Sequence, residues 1–154
     1  MELRSIVTNM SPDHNDTRKT TFGLVQAFYE RIWNSGDTDA TVQLLGQDFI
    51  FRGSLGAEMR GRDAFCGYVR SIRSALESYR CDILDCVTEG EKAFAKMRFS
   101  GIHVGPFRGF APTRKSVQWL GAALFRVEGP LIMELWVLGD LVSLEANLRE
   151  NAAP

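Results

Sequence analysis

The stretch KAFAKMRFSGIHV, residues 92–104, alternates between two kinds of side chain over its whole length. One set is mostly small or apolar and ends at His103, whereas the other set includes Lys96, Arg98 and Ser100. Successive side chains of a β-strand point to opposite faces of a sheet. The alternation therefore predicts a long strand with one buried face and one hydrated face.

Three other segments either alternate in the same way or are continuously apolar; they lie at residues 80–88, 115–127 and 131–139. A shorter apolar segment at 49–51 also reads as a strand. Glycine and proline separate the long segments, which is typical of antiparallel strands joined by tight turns.

Helical periodicity precedes these strands. Apolar residues recur at helical spacing over 20–33 and again after Gly61, and Asp37 or Asp39 is placed to cap a short helix between them. A last amphipathic segment, residues 141–148, also reads as a helix. Helices grouped ahead of strands favour an α+β fold, with the helices covering one face of a curved antiparallel sheet.

The composition is that of one domain with a substantial core. The chain has 154 residues, 45% of them hydrophobic, and its formal net charge of −1 argues against a nucleic-acid partner. Its longest apolar runs are far too short to span a bilayer, so we expect no membrane partner. We expect a flexible arm over residues 1–19, a folded domain over 20–149 and a short tail over 150–154.

The cysteines and the N-terminal residues predict the compartment. Cys66, Cys81 and Cys86 form no CxxC motif and leave an odd thiol, so we interpret them as reduced. The first twenty residues lack the apolar core of a secretion signal. Both features predict a cytoplasmic protein.

The parity of the long strands assigns their side chains to two faces. We expect the apolar face of 92–104 and of 115–127 to line the interior. The candidate ligand-binding residues on it are Met97, Phe99, Trp119, Gly121, Ala123 and Phe125. The opposite face carries Leu120, Ala122 and Leu124, which an isolated barrel would leave in water. We therefore expect a homodimer through this outer face; with inverted parity, these three residues would line the cavity.

The same parity groups Glu134, Trp136, Leu138 and Asp140 on one face of the last strand. We expect this face to point inward, which makes Trp136 a further ligand-binding candidate. Glycine at positions 101, 121 and 139 marks candidate bulges, and one bulge would invert every assignment beyond it.

Few residues are available for chemistry. His14 and His103 are the only histidines, and no cluster of histidine, cysteine and carboxylate has the spacing of metal ligands. Glycine patterns for a dinucleotide or a phosphate loop are also absent from the sequence. We therefore expect no metal and no cofactor, which leaves acid–base chemistry in an apolar pocket, or binding alone.

Asp140 is the leading catalytic candidate because it ends an otherwise apolar strand. Desolvation would raise its pKa and make it a stronger base toward a buried carbon acid. The competing interpretation is an N-cap for the final helix. His103 is the second candidate, as a group that positions substrate or donates a proton, and its alternative is a core histidine bonded to the backbone.

Several motifs then occur in an order and spacing that resemble the SnoaL-like polyketide cyclase family, over about residues 20–149. They are GIHVG (101–105), GFAPT (109–113), FRV (125–127), ELW (134–136) with Asp140, and upstream WNSGD (33–37) and GRDAF (61–65).

The resemblance implies the conical α+β barrel of nuclear transport factor 2-like proteins, with three N-terminal helices and a strongly curved antiparallel sheet around an apolar cavity. It also implies intramolecular aldol ring closure without a cofactor, with Asp140 at the position of the family's acid/base and a small apolar or aromatic ligand as substrate.

The chain departs from that pattern at Gly121 and Ala123, where cyclases of this family carry polar side chains facing the aspartate. A pocket without these groups is expected to be roomier and drier. Two alternatives therefore stay open: a non-catalytic binding or dimer-scaffold protein for a hydrophobic metabolite, and another reaction on the same barrel, such as hydroxylation or epoxide opening.

Overall fold

A computed structural model describes residues 14–154, with side chains from Thr21 onward. Most of the expected N-terminal arm, residues 1–13, lies outside the described residues. The first helix begins at His14, earlier than the periodicity predicts, and the last helix runs to Ala152, beyond the expected boundary at residue 149.

All helices but the last lie in the first half of the described chain, with two short strands among them. Helix α1 (His14–Ala27) continues as a π-helical segment (Phe28–Asn34), and a 3-10 turn (Thr38–Ala40), α2 (Thr41–Leu44), α3 (Arg62–Ala75) and α4 (Leu141–Ala152) follow. Asp37 caps the 3-10 turn, as predicted, by accepting a hydrogen bond from the Ala40 N–H. Among the described residues, no helix is both long and apolar enough to cross a membrane.

Six strands form one sheet. They are β1 (Leu45–Arg52), β2 (Glu58–Arg60), β3 (Leu76–Glu89), β4 (Lys92–His103), β5 (Ser116–Glu128) and β6 (Leu131–Gly139). Their spatial order is β2-β1-β6-β5-β4-β3. All neighbours are antiparallel except β1 and β6, which are parallel. This differs from the expected antiparallel sheet because the long connection between β1 and β6 lets both strands run in the same direction.

The predicted faces of β4 and β5 are confirmed. Met97 and Phe125 are fully buried, whereas Leu120 and Leu124 lie on the outer face and are 47% and 44% exposed. Alternation assigns these two strands correctly because their hydrated faces carry charged or polar residues.

Of the three predicted bulge positions, Gly101 lies at a register shift. Glu77 pairs with Ile102 and Arg80 with Ser100, so two residues of β3 lie opposite Gly101, whereas Gly121 and Gly139 pair with each other without a shift. Two of these glycines also allow close packing: a Cβ on Gly139 would lie 2.5 Å from the Ser54 carbonyl oxygen, and one on Gly101 would lie 3.0 Å from Leu76 Cβ.

Helix α4 begins at Asp140, which is its N-cap. The carboxylate accepts one hydrogen bond from the Ser143 N–H at 3.1 Å and a second from the Ser143 hydroxyl at 2.6 Å. These bonds, first that of the hydroxyl and then that of the N–H, hold the pKa of Asp140 below its ordinary value. The exposed cap therefore stabilises the ionised carboxylate.

We expect Asp140→Ala to lower the thermal midpoint by several degrees near neutral pH, since α4 loses both bonds. The folded pKa lies below the unfolded value, so this stabilisation is present above the unfolded value and is lost as the pH falls through the folded one. Thermal unfolding should therefore show the difference from wild type shrinking below about pH 4. Asp140→Asn keeps a capping oxygen, so its thermal midpoint should fall less than that of Asp140→Ala. A difference that grows on acidification would contradict the cap.

Candidate ligand-binding site

A small cavity lies between the π-helical segment, α3 and the inner face of the sheet. Its volume is about 20 Å³, room for about one water molecule. Its walls are mainly aromatic and aliphatic, with three phenols, a hydroxyl and a thiol among them. The lining residues are Tyr29, Trp33, Phe51, Ser54, Leu55, Tyr68, Ile72, Tyr79, Cys81, Phe99, Leu135 and Val137.

All three tyrosines of the chain line this cavity, and each comes from a different element. Burial raises the pKa of Tyr29 and of Tyr79 well above the ordinary value. Burial also raises the pKa of Tyr68 to about 12, against the opposing charge of Arg108. The phenols are therefore neutral at physiological pH and serve as hydrogen-bond donors, not as bases.

The Tyr29 hydroxyl is buried and has no hydrogen-bond partner among the described residues. The π-helical turn carries Tyr29 and Trp33 inward together, and both rings are almost fully buried. Tyr79 differs, because its hydroxyl is paired with the Cys81 thiol. An unpartnered buried hydroxyl is costly to stability, and the Tyr29 hydroxyl is therefore an unused hydrogen-bond donor in the described residues.

Edge-on and tilted contacts between aromatic rings stabilise the wall of the cavity. Tyr79 packs edge-on against Trp33, with 5.4 Å between ring centroids, and Phe99 lies 5.5 Å from Trp119. The indole N–H of Trp119 donates to the Ser54 hydroxyl at 3.4 Å, which ties the loop after β1 to β5. These contacts fix the aromatic walls around the phenols.

Of the predicted ligand-binding residues, Phe99 lines the cavity. Met97, Trp119, Ala123 and Phe125 face inward, as predicted, but they are packed in the core and do not line the cavity. The pattern did not single out the three tyrosines, because aromatic residues at helix and strand positions also suit a plain core.

Gly121 is the position where a roomier pocket is expected, and that expectation is wrong. A Cβ at Gly121 would lie 2.6 Å from Phe99 Cε2 and 2.8 Å from the Leu138 carbonyl oxygen. The Phe99 ring therefore fills the space that a side chain would occupy. The absence of a polar side chain at position 121 is therefore compensated by ring packing, and the cavity is not enlarged there.

The predicted orientation of Trp136 and Asp140 is also wrong. Trp136 pairs with Leu124 across β5 and β6 and shares its outer face, where the Arg52 guanidinium lies 5.7 Å from the centre of the indole ring. Asp140 is exposed and bonded to Ser143, so its pKa is lowered and not raised. Its carboxylate therefore lies outside the cavity.

His103 is fully buried at the end of β4, but it does not line the cavity. Its Nδ1 accepts a hydrogen bond from the Thr113 N–H at 3.3 Å and lies 3.1 Å from the Thr113 hydroxyl. Its Nε2 has no partner within the described part of the chain. Because Nδ1 accepts from the backbone, the proton of the neutral ring belongs on Nε2.

Across residues 21–154, no three His, Cys, Asp or Glu side chains lie close enough together to hold a metal ion. The three cysteines are free thiols. Burial raises the pKa of the Cys81 thiol strongly, so the sulfur in the cavity wall is protonated. The cavity thus presents neutral donors in apolar surroundings.

Solved structures with the same fold cover most of the chain. A proposed SnoaL-like polyketide cyclase from Jannaschia sp. CCS1 has a TM-score of 0.80 at 16% identity, covering 94% of this chain and 100% of that chain. TsrD from Streptomyces laurentii has a TM-score of 0.75 at 27% identity, covering 85% and 96%.

A protein from Catenulispora acidiphila DSM 44928 with a ketosteroid isomerase-like fold, in complex with trimethylamine, has a TM-score of 0.70 at 19% identity and covers 85% and 97%. The predicted α+β barrel is thereby confirmed. No protein of curated function matches the chain. The sequence profile of the SnoaL-like polyketide cyclases matches residues 23–148, and the chain therefore belongs to the SnoaL-like polyketide cyclase family.

Proposed function

We propose that the barrel interior binds a small, flat, apolar molecule that carries a carbonyl group. The observation that carries this proposal is the Tyr29 hydroxyl, which is buried without a partner among the described residues and belongs to a residue that lines an aromatic-walled cavity. A carbonyl oxygen accepts the hydrogen bond that Tyr29 has to offer, and the rings of Trp33 and Phe99 provide flat apolar contact.

Binding such a molecule requires the cavity to enlarge, since about 20 Å³ holds only about one water molecule. The loop over residues 53–57 is the part of the wall that lies outside the helices and strands, and its displacement would break the Trp119–Ser54 hydrogen bond. It carries Ser54 and Leu55, and its backbone is joined within itself by the bonds Gly53 N–H to Ala57 O and Gly56 N–H to Gly53 O. The other walls belong to helices and to the sheet, which are held by regular hydrogen bonding.

Aldol ring closure is the second candidate, and family membership favours it. Tyr29 would stabilise the negative charge that develops on an enolate oxygen. The Nε2–H of His103 would protonate the new alkoxide only after a rearrangement that brings His103, which does not line the cavity, to the substrate. For the acid/base role, the Asp140 carboxylate would first have to leave Ser143 and turn inward. Because this step breaks the observed cap, binding is the function that the geometry supports better.

The binding proposal is tested with 2-acetylnaphthalene, against 2-ethylnaphthalene as a probe of similar shape without the carbonyl. We expect Tyr29→Phe to lower the affinity for the ketone by about five- to tenfold, because one hydrogen bond is lost. The affinity for the hydrocarbon should stay unchanged. Tyr79→Phe is the matched control, since its hydroxyl is already paired with Cys81. Calorimetric titration measures the affinity of the wild type, Tyr29→Phe and Tyr79→Phe for both probes.

Thermal unfolding of the same variants checks that the fold is intact. Tyr29→Phe removes an unpartnered buried hydroxyl, so its midpoint should equal or exceed that of the wild type. Equal ketone affinities for wild type and Tyr29→Phe, or no binding of either probe, would refute the proposal.

We also propose that the protein forms a homodimer through the outer face of the sheet. Register places Leu124 between Phe94 on β4 and Trp136 on β6, and all three side chains are exposed. Together they form an apolar strip across three strands, and Leu138 and Leu120 extend it. A groove of about 360 Å³ lies at one end of the strip, against Leu124 and Trp136, and it is also lined by the charged residues Arg52, Lys92, Arg126 and Glu134. Covering this surface with a second copy would remove the apolar side chains from water.

We expect sedimentation to show a dimer at micromolar concentration, and Leu124→Asp to convert it to a monomer, since the charge would be buried in the contact. Val42→Asp is the matched control, because Val42 is also exposed but lies on α2, outside the apolar strip. A monomeric wild type, or a Leu124→Asp protein that dimerises as well as Val42→Asp, would exclude this interface.

A further inference from the structure

Arg108 lies in a tight turn whose backbone conformation is unfavourable for arginine. The turn is closed by reciprocal backbone bonds between Phe107 and Phe110, at 3.1 and 2.9 Å. Its two central residues, Arg108 and Gly109, have φ values of +49° and +83°. Positive φ at both central positions favours asparagine and glycine, so an arginine here is strained. Strain of this kind is commonly retained where a side chain has a function.

The Arg108 guanidinium is only partly satisfied. Its Nη2 donates to Glu145 Oε1 on α4 at 3.0 Å, and the Arg108 side chain is 22% exposed. Its Nε is buried and has no hydrogen-bond partner within the described residues. One side of the guanidinium fork therefore has an N–H that is shielded from water and free to donate.

Two observations place Arg108 near the cavity, although it does not line it. Its charge acts on the Tyr68 hydroxyl, which lines the cavity. The neighbouring Phe107 ring is buried 6.3 Å from Trp119, whose indole is bonded to Ser54 in the cavity wall. Among the described residues, no charged side chain lines the cavity itself. Arg108 is thus a charged donor beside an otherwise uncharged site.

We propose that Arg108 binds a carboxylate on the ligand, so that the ligand class is a flat, apolar carboxylic acid that also carries a carbonyl group. This inference rests on the proposed binding function. The free Nε–H and the Nη2–H form the fork that receives two carboxylate oxygens. Glu145 holds the guanidinium while the site is empty, and the ligand carboxylate takes its place at Nη2.

Three probes separate this inference from the binding function. The anionic probe is 6-acetyl-2-naphthoate, its neutral counterpart is 6-acetyl-2-naphthamide, and 2-acetylnaphthalene reports on the cavity alone. We expect the full-length wild type to bind the carboxylate about tenfold or more tightly than the amide, as for a charge-assisted pair. Added salt should reduce that preference.

Three variants test the role of Arg108. Arg108→Asn keeps a residue that tolerates positive φ, so the turn should form and the carboxylate preference should be lost. Glu145→Gln removes the competing carboxylate and should increase the preference several-fold. Arg114→Asn is the matched control, since Arg114 also has a positive φ, +61°, but lies in the segment before β5 with its N–H bonded to the His103 carbonyl.

The outcomes are distinguishable. Loss of the preference in Arg108→Asn alone, with 2-acetylnaphthalene bound equally by all four proteins, supports the inference. A preference that persists in Arg108→Asn, or is absent from a wild type that still binds 2-acetylnaphthalene, overturns it and leaves the binding function in place. Failure of all three probes to bind the wild type overturns both.

Discussion

The Phe99 ring packs against Gly121, and much of the site depends on this contact. A strongly curved sheet has a concave face that has to be filled, and here aromatic rings fill it to the density of a core. Because no side chain projects from Gly121, Phe99 closes the space between β4, β5 and β6. What remains open lies on the far side of Phe99, toward the helices, where the three phenols converge.

The family pattern expects the hydrogen-bond donors and the acid/base carboxylate to face the same interior, and this packing separates them. The interior holds neutral donors, and the carboxylate that follows β6 lies outside, where it caps α4. The Tyr29 hydroxyl and the Arg108 Nε are both buried without a hydrogen-bond partner among the described residues, and each such group lowers the stability of the empty protein. Groups that reduce stability in this way are expected where a ligand completes their bonding. Tyr68 lines the cavity together with Tyr29, and the positive charge of Arg108 lowers its pKa against the effect of burial.

The sequence predicts most of the fold because local patterns determine it. Alternation of polar and apolar residues identifies the long strands and the faces of β4 and β5, since charges mark their hydrated sides. It fails on β6, where both faces are apolar: Leu135 and Val137 point inward, and Trp136 and Leu138 point outward. Only the pairing of Trp136 with Leu124 decides between them, and that register is a long-range contact. The tyrosines were missed for a related reason, since three elements distant in sequence bring them together.

The most direct measurement of the central claim is the carbonyl stretching frequency of 2-acetylnaphthalene bound in the barrel, recorded by infrared difference spectroscopy. A hydrogen bond from Tyr29 lowers that frequency relative to an apolar solvent, and the account predicts this lowering in the wild type and its loss in Tyr29→Phe. The same frequency in both proteins would mean that the carbonyl does not meet Tyr29, and would contradict the account.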